Sequence, residues 1–220
     1  MKEIRPIAFF RSPLTSKFGV PRQSGLADYL VGRIVFEPQY QREEALRGLE
    51  GFDYLWLIWG FSANKSTDDG KLTVRPPRLG GNERLGVFAT RSPFRPNGLG
   101  LSSVRIKQIT DSVIEVVGAD LMDGTPIYDV KPYIPYVDSH PEAKGGFTDK
   151  KAWQKLSVMM SDEYARCFEK EELAALKEVL AQDPRPQYQH DAERVYGMPF
   201  GGKDVRFRVD GDVLEIVGIE

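Results

Sequence analysis

Over the first 137 positions, apolar residues come in short runs separated by clusters of Gly, Pro, Asn and Asp. Residues 4–10 (IRPIAFF) and 33–36 (RIVF) have the length and content of short strands. Residues 41–49 (QREEALRGL) put Ala45, Leu46 and Leu49 at helical spacing, with Gly51 placed to stop that helix. Residues 53–61 (DYLWLIWGF) form an unbroken apolar run of strand length, expected to be buried on both faces. LGVFAT at 85–90 returns to strand character. LSSVRIKQIT and SVIEVVGADL flank Asp111-Ser112 as a hairpin, and PIYDVKPYI follows the Asp123-Gly124 turn. Strands do not alternate with long helices, which disfavours a parallel α/β sheet. A mainly β fold follows: an antiparallel sheet closed into a small barrel, because closure removes unpaired edges.

Near residue 138 the texture changes. DSHPEAKGG is polar and glycine-containing, a linker over about 138–147 between a barrel domain (1–138) and a C-terminal α+β domain (139–220). In the latter, WQKLSVMM reads as a strand, and Ser161 as an N-cap with Asp162 and Glu163 in the first helical turn. Leu173, Leu176, Val179 and Leu180 give an amphipathic stretch ended by Pro184. VRFRV and VLEIVGI flank Asp210-Gly211 as a second hairpin. Cys167, inside EYARCFEK, reads as a small core residue.

Composition narrows the chemistry. The 220 residues are 41% hydrophobic and 28% charged, as in globular proteins, and 21 glycines with 15 prolines suit a turn-rich, strand-rich chain. One cysteine allows no intrachain disulfide. With two histidines, His140 and His190, both read as surface residues, it cannot build the usual zinc or iron–sulfur sites; a carboxylate-held metal stays open. The N-terminal MKEIRPIAFFRSP has Glu and Pro where an export signal needs an apolar run. The longest apolar stretch, Tyr54 to Phe61, is far short of the roughly 20 residues that span a bilayer. The expected location is the cytoplasm, with no membrane partner. Phosphate-binding glycine loops and a nucleophile elbow are missing from the sequence.

Net charge is −2, yet residues 71–108 carry Lys71, Arg75, Arg78, Arg84, Arg91, Arg95, Arg105 and Lys107 against Glu83 alone, a local excess of seven. Such a region either attracts phosphates and polyanions or is a solvated surface. Four irregular segments stand out: KFGVPRQSG, VRPPRLGGN, FATRSPFRPNGLGLS and LMDGTPIYDVKPYIPYVD. Arg beside Pro restricts the backbone while presenting a planar charged fork, and Gly lets a ligand approach the main chain.

These segments, with RGLEGFDYLWLIWGF and LAQDPRPQY, resemble the TrmO family (TsaA-like, YaeB-like) of tRNA adenosine methyltransferases over nearly the whole chain. The resemblance implies a non-Rossmann S-adenosylmethionine-binding barrel with a C-terminal accessory domain, a homodimer, and the tRNA anticodon stem-loop as substrate. The implied reaction methylates N6 of N6-threonylcarbamoyladenosine beside the anticodon of threonine tRNAs; the alternatives are a non-catalytic RNA-binding barrel and a methyltransferase of shifted tRNA or base specificity. Motif by motif, it implies donor contacts at Gln23, Ser24 and Gly25; at Ser62 and Ala63 after the apolar strand; at Arg91 of ATRS; at Leu101; and at Gly124, Thr125, Pro126 and Ile127 of the DGTP turn. Ser24 stands where some relatives have Pro, and relatives can carry larger polar residues at 62 and 63. Arg91 suits the donor's carboxylate or, alternatively, a phosphate.

No metal is needed, because the sulfonium already activates the methyl group. The acceptor nitrogen bears a proton, so a base is useful, and Asp129 and Tyr133 in DVKPY are the candidates. Asp129 has a second reading as a structural partner of Lys131 or of a backbone amide. Arg75, Arg78, Arg84 and Arg95 are the expected anticodon-stem contacts. Arg185, held between two prolines, is expected to present a charge to tRNA or to mark a helix stop. The C-terminal unit is expected to help dock tRNA and not to hold the donor.

Overall fold

A computed structural model describes residues 3–64, 72–76, 83–150, 154–186, 189 and 191–220. The strands of the first part are β1 (Ala8–Arg11), β2 (Val31–Phe36), β3 (Tyr54–Gly60), β4 (Thr73–Val74), β5 (Leu85–Gly86), β6 (Leu99–Thr110), β7 (Val113–Val117) and β8 (Pro126–Pro132). Six of them close into a barrel in the order β1-β2-β7-β6-β3-β8, every neighbour antiparallel, while β4 and β5 pair separately. Phe10, Ile34, Leu55, Leu57, Val104, Ile114, Val116 and Ile127 fill the interior.

The apolar run of β3 is not buried on both faces. Leu55, Leu57 and Trp59 point inward, whereas Tyr54 is exposed and Trp56 and Ile58 are half-covered, because an antiparallel barrel has one dry face. The helix read at 41–49 is one turn, α1 (Glu43–Leu46), followed by a 3-10 turn at Leu49–Gly51. Gly48, not Gly51, takes the left-handed conformation that ends α1. LGVFAT keeps strand geometry for two residues only. Val87–Ala89 then forms a 3-10 turn whose carbonyl end receives the Thr90 hydroxyl at 2.9 Å.

After α2 (Pro135–Asp138) the chain builds a second unit: β9 (Ser157–Met159), α3 (Asp162–Ala165), α4 (Lys170–Ala181), β10 (Tyr196–Phe200), β11 (Lys203–Asp210) and β12 (Val213–Ile219). The sheet order is β10-β11-β12-β9, with β9 parallel to β12. Ser161 caps α3 by accepting the Tyr164 amide, and Glu169 with Glu172 forms a capping box on α4. Ala175, Leu176, Val179 and Leu180 of α4 join Phe200, Phe207 and Leu214 of the sheet in one core. Cys167 lies between α3 and α4 and is exposed, its thiol 3.7 Å from the Glu163 carbonyl; the expected core position is wrong because the helix breaks there. Among the described residues no helix is long and apolar enough to cross a membrane.

The segment between β1 and β2 joins the two units. Leu14, Ala27 and Leu30 are buried in the core of the C-terminal sheet, with Phe18 and Val20 packed against it. The Phe18 ring stacks on Phe207 at 6.3 Å. The Tyr29 amide donates to Glu178 at 2.8 Å, the Gly201 amide to the Pro13 carbonyl at 3.0 Å, and Gln182 Nε2 to the Leu26 carbonyl at 3.3 Å. Covalently this loop belongs to the barrel; by packing it belongs to the C-terminal unit.

Candidate functional site

One end of the barrel collects most of the sequence-marked segments. There β1 leaves, β2 enters, β7 ends, β8 begins, and β3 passes into the loop at Phe61. Gly124, with φ +75, donates its amide to the Phe10 carbonyl at 2.8 Å, and the Phe10 amide donates to the Thr125 carbonyl at 2.9 Å. The DGTP turn is thereby laced to β1. Asp123 adds a bond from the Ser12 amide at 3.0 Å. The Thr125 hydroxyl donates to the Met122 carbonyl at 2.7 Å, and Ile127 lies wholly inside the barrel. Those two side chains are occupied by the fold, so any ligand contact at Thr125 or Ile127 comes from backbone.

The loop 23–25 is fastened to the segment that follows β7. Gly25, at φ +78, donates its amide to the Gly118 carbonyl at 2.8 Å. Arg91 Nη1 donates to Gln23 Oε1 at 2.5 Å, so the ATRS motif and the QSG motif meet directly. Beneath them sits Asp120, a residue that the motifs do not single out. The Trp59 indole N–H donates to Ser102 Oγ at 2.9 Å, and the Ser102 hydroxyl donates to Asp120 Oδ1 at 2.5 Å. Burial pushes the Asp120 carboxyl above the ordinary carboxylate range; the Ser102 hydroxyl, the nearby Arg91 charge and the Ser24 amide oppose that shift. The available sequence signal was an acid inside the apolar stretch VIEVVGADL.

A cleft adjoins this cluster, lined by Phe61, Ser62, Phe94, Arg95, Pro126 and Tyr128 among others. Phe61 stands edge-on to Trp59 with ring centroids 4.4 Å apart. Arg95 Nη1 donates to the Thr90 carbonyl at 3.1 Å, and its own amide donates to the Pro93 carbonyl at 2.9 Å, which sets the SPFRP loop over the cleft. Ala63 is exposed beside Ser62, and Leu101, 54% exposed, stands on the barrel's outer face opposite Ile58. Guanidinium groups, glycine-opened amides and aromatic walls in one place suit a cofactor with a carboxylate, a flat base and polar ribose groups.

Other expected residues fall elsewhere. Tyr133 lies past the far end of β8, roughly 23 Å along the strand from Pro126, where its ring packs on Trp56 at 5.5 Å and Tyr54 at 6.1 Å. The strand therefore does not bring it to the DGTP turn. Asp129 has the structural partners of its second reading: Lys131 Nζ at 2.8 Å and the Val130 amide at 3.0 Å. Arg185 is a correction. It is only 7% exposed, and its guanidinium forks onto Asp183 at 2.9 and 3.1 Å, so the prolines hold an internal ion pair instead of presenting a charge. Arg75 and Arg84 are exposed; Arg78 and His190 lie outside the described residues, and His140 is exposed. Among the described residues no cluster of three or more His, Cys, Asp or Glu could hold a metal ion.

A closed antiparallel barrel with a basic, loop-built cleft at one end, its QSG loop seated on an α+β unit, defines a non-Rossmann class of small-barrel protein. Comparison with known proteins fixes the family. The tRNA-methyltransferase O N-terminal domain matches residues 9–139, and the TrmO C-terminal domain matches residues 153–220. The chain belongs to the TrmO family. It is 39% identical to the tRNA (adenine(37)-N6)-methyltransferase of Escherichia coli K12 over 99% of this chain and 97% of that one. It is 38% identical to a putative S-adenosylmethionine-dependent methyltransferase, RcsF, of Pseudomonas aeruginosa, over 93% and 91% of the two chains. The crystal structure of TrmO from Pseudomonas aeruginosa superposes with a TM-score of 0.81 at 30% identity, covering 100% of this chain and 99% of that one.

Proposed function

We infer that the protein is an S-adenosylmethionine-dependent tRNA methyltransferase that acts on N6 of the adenosine 3′ to the anticodon, in its threonylcarbamoylated form. The observation that carries this reading is the meeting of the QSG and ATRS motifs, through Gln23 and Arg91 above Asp120, in a chain that matches both TrmO domains, over residues 9–139 and 153–220. The donor supplies a sulfonium-activated methyl group, a chemistry that needs no metal. Arg91 serves as the guanidinium for the donor's carboxylate. Gly25 and Gly124 let its polar groups approach the main chain, and Ser62, Ala63, Leu101 and Pro126 provide flanking contacts.

Arg95, at the mouth of the cleft, and exposed Arg75 and Arg84 supply positive charge for the anticodon stem-loop and the threonyl carboxylate, with Arg78 completing the set by sequence. Of the two proton acceptors expected, Asp129 is the one whose neighbour, Tyr128, lines the cleft; its pairing with Lys131 competes for its lone pairs. A homodimer in the cytoplasm completes the reading. Mass spectrometry of anticodon-loop fragments from cells with and without the gene tests it: the methyl group on the modified adenosine of threonine tRNAs should vanish with the gene, and its persistence would reject the assignment.

A further inference from the structure

Asp120 is the one carboxylate among the described residues that burial pushes above its ordinary range, and nothing in the donor motifs accounts for it. A buried acid is costly to ionise, and an amide or an apolar residue would fill the same space at lower cost. Its polar neighbours favour the ionised form and offset part of that cost. Ser102 receives the indole N–H of Trp59, which leaves its own hydroxyl proton to point at Asp120 Oδ1. On the opposite side lie the Ser24 amide and the Arg91 charge, and Arg91 in turn holds Gln23. The loop that closes over the donor is therefore tied at three successive residues, 23, 24 and 25, to the segment 118–120 or to a side chain that segment attracts.

We propose that Asp120 is a positioning residue of the donor site: as a carboxylate it fixes the Ser24 amide and the Arg91 guanidinium, and so holds the Gln23–Gly25 loop in its donor-binding geometry. The inference rests on the donor-binding reading above. The groups acting on Asp120 are Ser102 of β6, its own backbone amide, Arg91 and the Ser24 amide, and none of them changes charge between mildly acid and neutral pH.

A positioning role separates from a structural one by sign. The folded protein holds the Asp120 proton more tightly than the unfolded chain does, so ionisation of Asp120 lowers stability as pH rises above the ordinary carboxylate range. Asp120→Asn keeps an oxygen for Ser102 and removes that cost. It should melt at the same or a higher temperature than wild type at neutral pH. It should also bind both S-adenosylmethionine and S-adenosylhomocysteine at least tenfold more weakly, because its amide N–H groups face the Ser24 amide and Arg91. Wild-type affinity for S-adenosylhomocysteine should fall as pH is lowered from neutrality toward the ordinary carboxylate range, and the Asp120→Asn profile should be flat. Calorimetric titration of the full-length protein with S-adenosylhomocysteine, beside thermal melts, reads all three. Wild-type affinity in Asp120→Asn, or a melting temperature that drops in step with binding, would overturn the proposal. A wild-type protein that binds neither molecule would overturn the donor-binding reading itself.

Discussion

Gly19 is the position at which the seating of the donor loop on the C-terminal unit is most exposed to test. Its φ of +96° is one that side-chain-bearing residues rarely adopt, and an added methyl group would collide with the Met198 sulfur, stand 3.0 Å from Met198 Cγ and lie 3.6 Å from Leu14 Cδ2. Met198 is fully buried in the core of the second unit, where close packing resists its displacement. In Gly19→Ala the backbone strain costs about 1–3 kcal/mol and the overpacking about 1–3 kcal/mol more. Burial of Leu14 and Leu30 holds the loop down with about 1.5–3 kcal/mol each. The strain is thus comparable to the hold, and the loop relieves it by lifting off β10. If about 2 kcal/mol of it is relieved that way, donor affinity falls about 30-fold.

Gly25→Ala is the internal comparison. Its φ is +78°, but nothing lies within 4 Å of the added methyl, so it carries backbone strain alone, about 1–3 kcal/mol. Urea denaturation reads both variants; calorimetric binding of S-adenosylhomocysteine reads the seating of the loop in Gly19→Ala alone, because Gly25 itself borders the proposed donor site. A Gly19→Ala protein with the wild-type midpoint and affinity would refute the seating of the loop. The same packing revises an expectation drawn from sequence: a chain ending near Asp138 would expose Leu14, Ala27 and Leu30, so the C-terminal unit supports the donor loop besides any part it has in tRNA docking.

Arg185→Ala should cost about 1.5–3 kcal/mol in denaturant titrations, since it removes a charge-assisted fork while Asp183 keeps the residue-185 amide and the nearby Arg22 charge, and should leave the salt dependence of tRNA binding unchanged. Charge-removing changes at Arg75, Arg84 and Arg95 should each make that salt dependence shallower, by roughly 0.7–0.9 log units per log unit of salt for each phosphate no longer neutralised; filter binding across a salt series checks this. Asp138 accepts the Ile134 amide at 2.8 Å and the Trp56 indole at 2.9 Å, and these bonds, the amide first, hold its carboxyl below the ordinary carboxylate range. Its stabilisation is therefore present above that range and lost as pH falls through the lower folded value. Acid thermal melts of wild type should show the loss, and Asp138→Asn should lack it.

Local chemistry was legible where it decides the outcome. Asp111 and Gly211 occupy the positive-φ turn positions of the two hairpins read from sequence, and Ser161 caps its helix as its type and neighbours required. The closed barrel followed from many short strands and no long crossover helices. Side-chain surroundings set by distant packing were not legible. Arg185 between prolines looks displayed, but its exposure depends on how 183–185 folds against the helix end. Tyr133 is close to the DGTP turn in sequence and far from it in space, because a strand carries successive residues away at about 3.3 Å each. Asp120 heads the matching DLMDGTP segment without a family role to mark it; its hydrogen-bond partner Ser102, which Trp59 bonds in turn, is brought to it by pairing between β3 and β6. The loop 12–30 carries the QSG motif, yet its apolar residues belong to a core built more than a hundred positions later.

The most direct test of the function gives purified protein and labelled S-adenosylmethionine two threonine tRNAs, one transcribed without modification and one carrying the threonylcarbamoyl group. The threonylcarbamoyl carbonyl makes the N6 proton easier to remove, and its carboxylate offers a guanidinium a bidentate grip, so methyl incorporation is expected only into the modified tRNA. Comparable incorporation into both would contradict the assignment and point to a general adenine N6 methyltransferase.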